Sequence, residues 1–156
     1  MLHNNQTKLT MPINLASPKF SDIQAILDAV LARSNYCAVN KPMPPPTHGV
    51  FWRQTGDYDE DYKRFTTGVV PNVGEQIMNT TAGQELTSNF YVILTDPNGS
   101  ASGYPQMPEG GRVPPPVQDG PFLTDAGYTV TVDGIAITGT QLITALAFWL
   151  TNNYPK

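Results

Sequence analysis

The chain has 156 residues, which is one domain's length and enough to bury a core without disulfides or metal staples. Charged residues make up only 14% of it, against about 25% in typical domains, while apolar residues reach 40% and aromatics 10%, so the composition is not that of a disordered chain. The net charge is −4 and the cations are scattered, adjacent only at Lys63-Arg64, which argues against a nucleic-acid binder.

Sparse charge leaves two readings open. Part of the surface is hidden against a partner, or the surface is built from Asn, Thr and Gln on long loops. The single cysteine, Cys37, rules out an internal disulfide. The first ten residues are polar and lack an apolar stretch. They predict that a signal peptide is absent, or was already removed and replaced by a start Met, with a cytoplasmic location by default. No run is long and apolar enough for a transmembrane helix, so membrane insertion is not expected.

In chain order, residues 1–18 read as an N-terminal arm and 19–156 as a single domain. A helix is predicted over 21–33. Ser21-Asp22-Ile23-Gln24 has capping-box form, and Ile23, Ile26, Leu27, Val30 and Leu31 share one face. Residues 41–48 carry four prolines and cannot be helical. In the apolar knot that follows, Phe51 and Trp52 are expected to anchor the loop to the core. A short helix is predicted over 58–66, stopped by Gly68. Asn72-Val73-Gly74 reads as a turn and 75–78 as a brief helical turn. A further helix is expected over 85–94, with a buried strand over 89–94 as the alternative. Asp96-Pro97-Asn98-Gly99 ends it with turn chemistry.

The Pro/Gly-rich stretch 103–121 is a long loop, and ordered loops of that length are often functional. Two β-prone runs then flank Asp133-Gly134, predicting a two-residue hairpin over about 128–138. The last element, 140–150, organises the chain. Its expected N-cap is Thr140, and from Leu142 to Leu150 the only polar side chain is Thr144. A helix apolar all round must be covered on more than one face. It is therefore the central core helix, or a second chain covers part of it. The predicted fold is mainly α: three or four helices, one hairpin and long Pro/Gly-rich loops.

Three pieces occur in a telling order: Ser21-Asp22-Ile23-Gln24-Ala25-Ile26-Leu27, then Tyr104-Pro105-Gln106-Met107-Pro108-Glu109-Gly110-Gly111, then Asp133-Gly134 and Thr138 with Leu142, Leu146, Trp149-Leu150 and Asn153-Tyr154-Pro155. This order resembles the small helical cytochrome c domains of bacterial multidomain proteins, over about half the chain in short pieces. The resemblance implies an opening helix packed on a closing helix that carries a tryptophan. It also implies a Met-Pro-x-Gly-Gly loop that could supply a methionine ligand, and a periplasmic location. The attachment motif Cys-x-x-Cys-His is missing, because Cys37-Ala38-Val39-Asn40 stands in its place. Covalent haem is thereby excluded, and the resemblance implies a haem-free relative.

Candidate chemistry is thin. His48 and Met107 could form an axial pair for a non-covalent haem, or His48 is simply a loop histidine. Cys37 with His48 could make a thiol nucleophile pair, but a lone cysteine is usually an inert small hydrophobe. Asp57, Asp59 and Asp61 alternate as in a calcium loop. Counted from Asp57, an EF-hand needs glycine sixth and glutamate twelfth, and Tyr62 and Gly68 stand there. A looser Ca²⁺ site, or a solvated helix start, remains. Asn5, Asn79 and Asn98 lie in glycosylation sequons that matter only on a eukaryotic secretory route.

The reading that follows is a non-catalytic small subunit or accessory module acting on a protein partner or as a homo-oligomer. Phe51, Trp52, Tyr104 and Trp149, with Met107, are the expected interface anchors, since aromatics and Met are enriched at such surfaces. The alternatives are a haem-binding electron-transfer protein, or an enzyme subunit whose site a partner chain completes.

Overall fold

A computed structural model describes residues 12–33, 50–99, 106–107 and 121–156. Among them are four α-helices and one two-stranded antiparallel sheet: α1 (Phe20–Arg33), α2 (Tyr58–Thr67), α3 (Asn89–Thr95), β1 (Thr129–Val132), β2 (Ile135–Thr138) and α4 (Gly139–Thr151). The protein is a mainly α domain, as the periodicities imply. No helix among the described residues is long and apolar enough to cross a membrane.

α4 is the core helix. Leu142, Ala145, Leu146, Trp149 and Leu150 are fully buried, while Thr140, Gln141, Thr144 and Phe148 face water. The rings of Phe20 (α1), Phe65 (α2) and Phe90 (α3) stand 6.0–6.3 Å from Trp149, so one side chain joins all four helices. Its N-cap is Thr138 rather than the expected Thr140. Thr138 Oγ1 accepts the Gln141 N–H at 3.3 Å, and Gln141 Oε1 accepts the Thr138 N–H at 2.9 Å. That reciprocal capping box lets β2 run directly into the helix.

α1 buries Phe20, Ile23, Ile26, Leu27 and Val30 as one stripe. Each such side chain contributes roughly 1.5–3 kcal/mol. Its start, Phe20, lies one residue before Ser21. The Lys19 carbonyl accepts the Ile23 N–H, and Asp22 Oδ2 accepts the Lys19 N–H at 2.8 Å. Of the described residues just before it, Pro18 is fully buried, and Ile13 and Leu15 pack on the core.

Two local expectations are corrected. Residues 75–78 are extended, not helical. Val69 and Gln76 form an antiparallel bridge, and the Ile77 N–H donates to the Gly68 carbonyl at 3.1 Å. The expected helix 85–94 is divided at Ser88 into a 3-10 turn, Glu85–Thr87, and α3. The buried Ser88 hydroxyl donates to the Glu85 carbonyl at 2.5 Å and accepts the Asn79 N–H at 2.9 Å. Ser88 itself is extended, with ψ 131°, which breaks the helical ladder.

The hairpin matches its sequence signal. Asp133 and Gly134 have φ of 49° and 80°. Two left-handed residues make the type I′ turn whose twist suits the flanking strands.

Candidate functional site

Five sequence-predicted residues, Phe51, Trp52, Asp57, Asp59 and Asp61, lie in or beside α2. Phe51–Arg53 forms a 3-10 turn laid across α1 and α2. Trp52 is 5% exposed, and its indole N–H donates to Asp28 Oδ1 at 2.7 Å. Arg53 Nε donates to the other Asp28 oxygen at 2.7 Å. The Trp52 carbonyl accepts from the buried Gln24 side chain at 2.6 Å. Held this way, Phe51 stacks on Phe65 with ring centroids 5.8 Å apart and planes 12° from parallel. Phe51 and Trp52 do anchor this stretch to the core.

The three carboxylates of the acidic run are each engaged by a different group. Asp57 is the N-cap of α2, its Oδ1 accepting the Glu60 N–H at 2.9 Å. Asp59 pairs with the Lys156 ammonium at 2.5 Å. Asp61 is buried and accepts both the N–H and the hydroxyl of Thr55 at 2.8 Å. Each carboxylate thus has a separate structural partner. No group of three His, Cys, Asp or Glu side chains among the described residues could hold a metal ion.

The interface candidates separate. Trp149 is fully buried and Trp52 nearly so, both inside their own domain rather than at its surface. Phe51 is half-buried. Tyr104, His48 and Cys37 lie outside the described residues. Met107 packs on the core beside α3, its N–H donating to the Ile93 carbonyl at 2.7 Å.

What sequence reading misses is a groove of about 290 Å³ beside Phe51. Val69, Pro71 and Ile77 line it with Phe51, and Gln54 and Arg64 stand at its polar side. The antiparallel bridge between Val69 and Gln76 ties together the two stretches that carry Val69 and Ile77. Arg64 is oriented by Glu60 Oε1 at 2.9 Å and Gln54 Oε1 at 3.3 Å. Val69 is 51% exposed, the highest value of any large apolar side chain described. The available signal is Gly68-Val69-Val70-Pro71: a helix stop, two β-branched residues and a proline that disfavours helix before it.

A second cleft of about 480 Å³ lies where α4 begins. The Gly139 N–H there donates to the Tyr128 carbonyl at 2.9 Å, and the Gln141 N–H to Thr138. The helix-start donors are thus largely engaged within the fold.

Comparison with family models, with curated proteins and with solved structures gives no match.

Proposed function

We propose that the protein is a non-catalytic small subunit or accessory module that works by binding another protein. The observation that carries this reading is the groove of Phe51, Val69, Pro71 and Ile77, with Val69 about half exposed on a hydrogen-bonded frame. Apolar surface held rigidly in water is relieved when a partner covers it, at about 25 cal/mol per Å². An apolar centre with an arginine at its polar side is the usual arrangement of an interface hot spot. The low charge of the chain supports the same reading. The opening and closing helices meet through Phe20 and Trp149, the contact that a haem-free relative of cytochrome c-like domains would keep.

The test is co-purification from the native source with wild type and Val69→Asp compared. Wild type is expected to bring down a stoichiometric second chain, and Val69→Asp to lose it with its thermal midpoint unchanged. Equal recovery of that chain by both proteins, or recovery of none by wild type, would overturn the reading.

A further inference from the structure

Among the described residues, the β1–β2 hairpin has no third strand paired to it. The Gly139 N–H donates to the Tyr128 carbonyl at 2.9 Å, so these two residues form a hydrogen-bonded pair. Bonded and non-bonded pairs alternate along an antiparallel ladder. The register is Thr129↔Thr138, Val130↔Ile137, Thr131↔Ala136 and Val132↔Ile135. The backbone polar groups of Thr129, Thr131, Ala136 and Thr138 therefore point away from the opposite strand. Two contacts agree with that parity. The Thr129 carbonyl accepts from Arg33 Nε at 3.3 Å, and the Thr138 N–H donates to Gln141 Oε1. On β2 this leaves the N–H and C=O of the exposed Ala136 directed outward, with no hydrogen-bond partner among the described residues.

Natural edge strands are guarded by being very short or by lysine, proline or a bulge, and β2 is short, at four residues, so its protection rests on length alone. Residues 135–138 carry no lysine, proline or bulge. Ile135 and Ile137 project from the same face. Ile137 is fully buried, yet Ile135 is 46% exposed. Its inward side is thus left half covered at the outer margin of the sheet.

We propose that β2 pairs antiparallel with β2 of a second copy, about a two-fold axis at Ala136, joining the two hairpins into one four-stranded sheet. In this register each Ala136 exchanges both of its outward groups with its counterpart. Each Ile135 then stands opposite Ile137 of the second copy, on the core-facing side, and gains the cover it lacks. The surface is complementary to itself, which is what an isologous two-fold contact requires. It involves no residue of the groove at Phe51, so the two surfaces stand or fall separately.

The test is sedimentation equilibrium of the full chain together with residue-resolved amide exchange. Wild type is expected to sediment at twice its 17.0 kDa mass, with an Ala136 amide whose protection falls on dilution. Ile135→Lys is expected to sediment as monomer with an unchanged circular dichroism spectrum and to lose that protection. Thr131→Lys, on the other edge of the hairpin, is expected to remain dimeric. A wild-type monomer at the highest concentration reached, or a dimer with an unprotected Ala136 amide, would overturn the proposal. So would a dimer undisturbed by Ile135→Lys or one abolished by Thr131→Lys. Wild-type exchange decides the matter even if a variant fails to fold.

Discussion

Trp149 donates its indole N–H to the carbonyl of Pro155 at 2.8 Å. The same oxygen accepts the Phe20 N–H at 3.0 Å. One carbonyl near the C-terminus therefore ties the central helix to the first turn of α1. The Tyr62 hydroxyl adds a bond to the Tyr154 carbonyl at 2.9 Å, bringing α2 into the same clasp. Trp149→Phe keeps a ring in the cluster but loses the donor. It should destabilise the protein by about 1–3 kcal/mol, combining the lost bond with the smaller ring. Urea denaturation measures this, and a loss below about 0.5 kcal/mol would contradict the clasp.

Asp28 holds Trp52 and Arg53 at once. The ion pair with Arg53 is substantially exposed, with 45% and 42% of the two side-chain surfaces accessible, so it contributes little. The indole bond matters more, because Trp52 is buried. Asp28→Ala leaves that N–H without its acceptor and should cost about 1–3 kcal/mol. Tryptophan fluorescence should report a changed Trp52 environment, since the 3-10 turn is held by this bond. Unfolding curves and spectra that match wild type would show that the turn is held by other contacts.

Gly139 admits no side chain. A Cβ there would overlap the Leu123 carbonyl oxygen, which is backbone and cannot swing aside. Gly139→Ala must displace either the first turn of α4 or the 121–125 segment. The expected cost is at least about 2 kcal/mol, with heteronuclear NMR shifts centred on Leu123 and Thr138. Near-wild-type stability would mean that the segment yields easily.

The Tyr128 hydroxyl is buried and has no hydrogen-bond partner among the described residues. Burial pushes its pKa up to about 12, with the Arg33 charge acting weakly in the opposite direction. The folded protein therefore keeps this proton where the unfolded chain, titrating near 10, has lost it. Its contribution to stability is complete below about pH 10 and is lost as pH rises toward about 12, roughly 2–3 kcal/mol in all. Burial also raises the pKa of Tyr62 and Tyr91. Those groups are unchanged in Tyr128→Phe, so the difference between the two proteins isolates Tyr128. The variant should be about 1 kcal/mol more stable at pH 7, since an unpartnered polar group is removed. Its alkaline decline should be shallower. Parallel pH curves for the two proteins would contradict the assignment.

Elements whose cause is local are legible in the sequence. The apolar stripe of α1, the closing apolar run and the Asp133-Gly134 turn each carry their instructions within a few residues. The α4 cap lies two residues before the expected Thr140 although its signal is present, because Thr138-Gly139-Thr140-Gln141 spells a capping box from Thr138. The break at Ser88 is not legible, since it depends on a bond to Asn79, nine residues away. Residues 75–78 mislead for the same reason, because their conformation follows from pairing with 68–70. The groove is least visible. Phe51, Val69, Pro71 and Ile77 come from three separate stretches, and no single periodicity marks them as neighbours. The partners of the acidic run are only partly legible: Asp57 reads as a helix start, but the contacts of Asp59 with Lys156 and of Asp61 with Thr55 depend on the fold.

That this chain works by binding other protein is tested most directly by native mass spectrometry of material purified from its own source. The expected result is a mass that exceeds 17.0 kDa, or a multiple of it, by that of another protein. Species made of this 17.0 kDa chain alone, single or multiple, would contradict it.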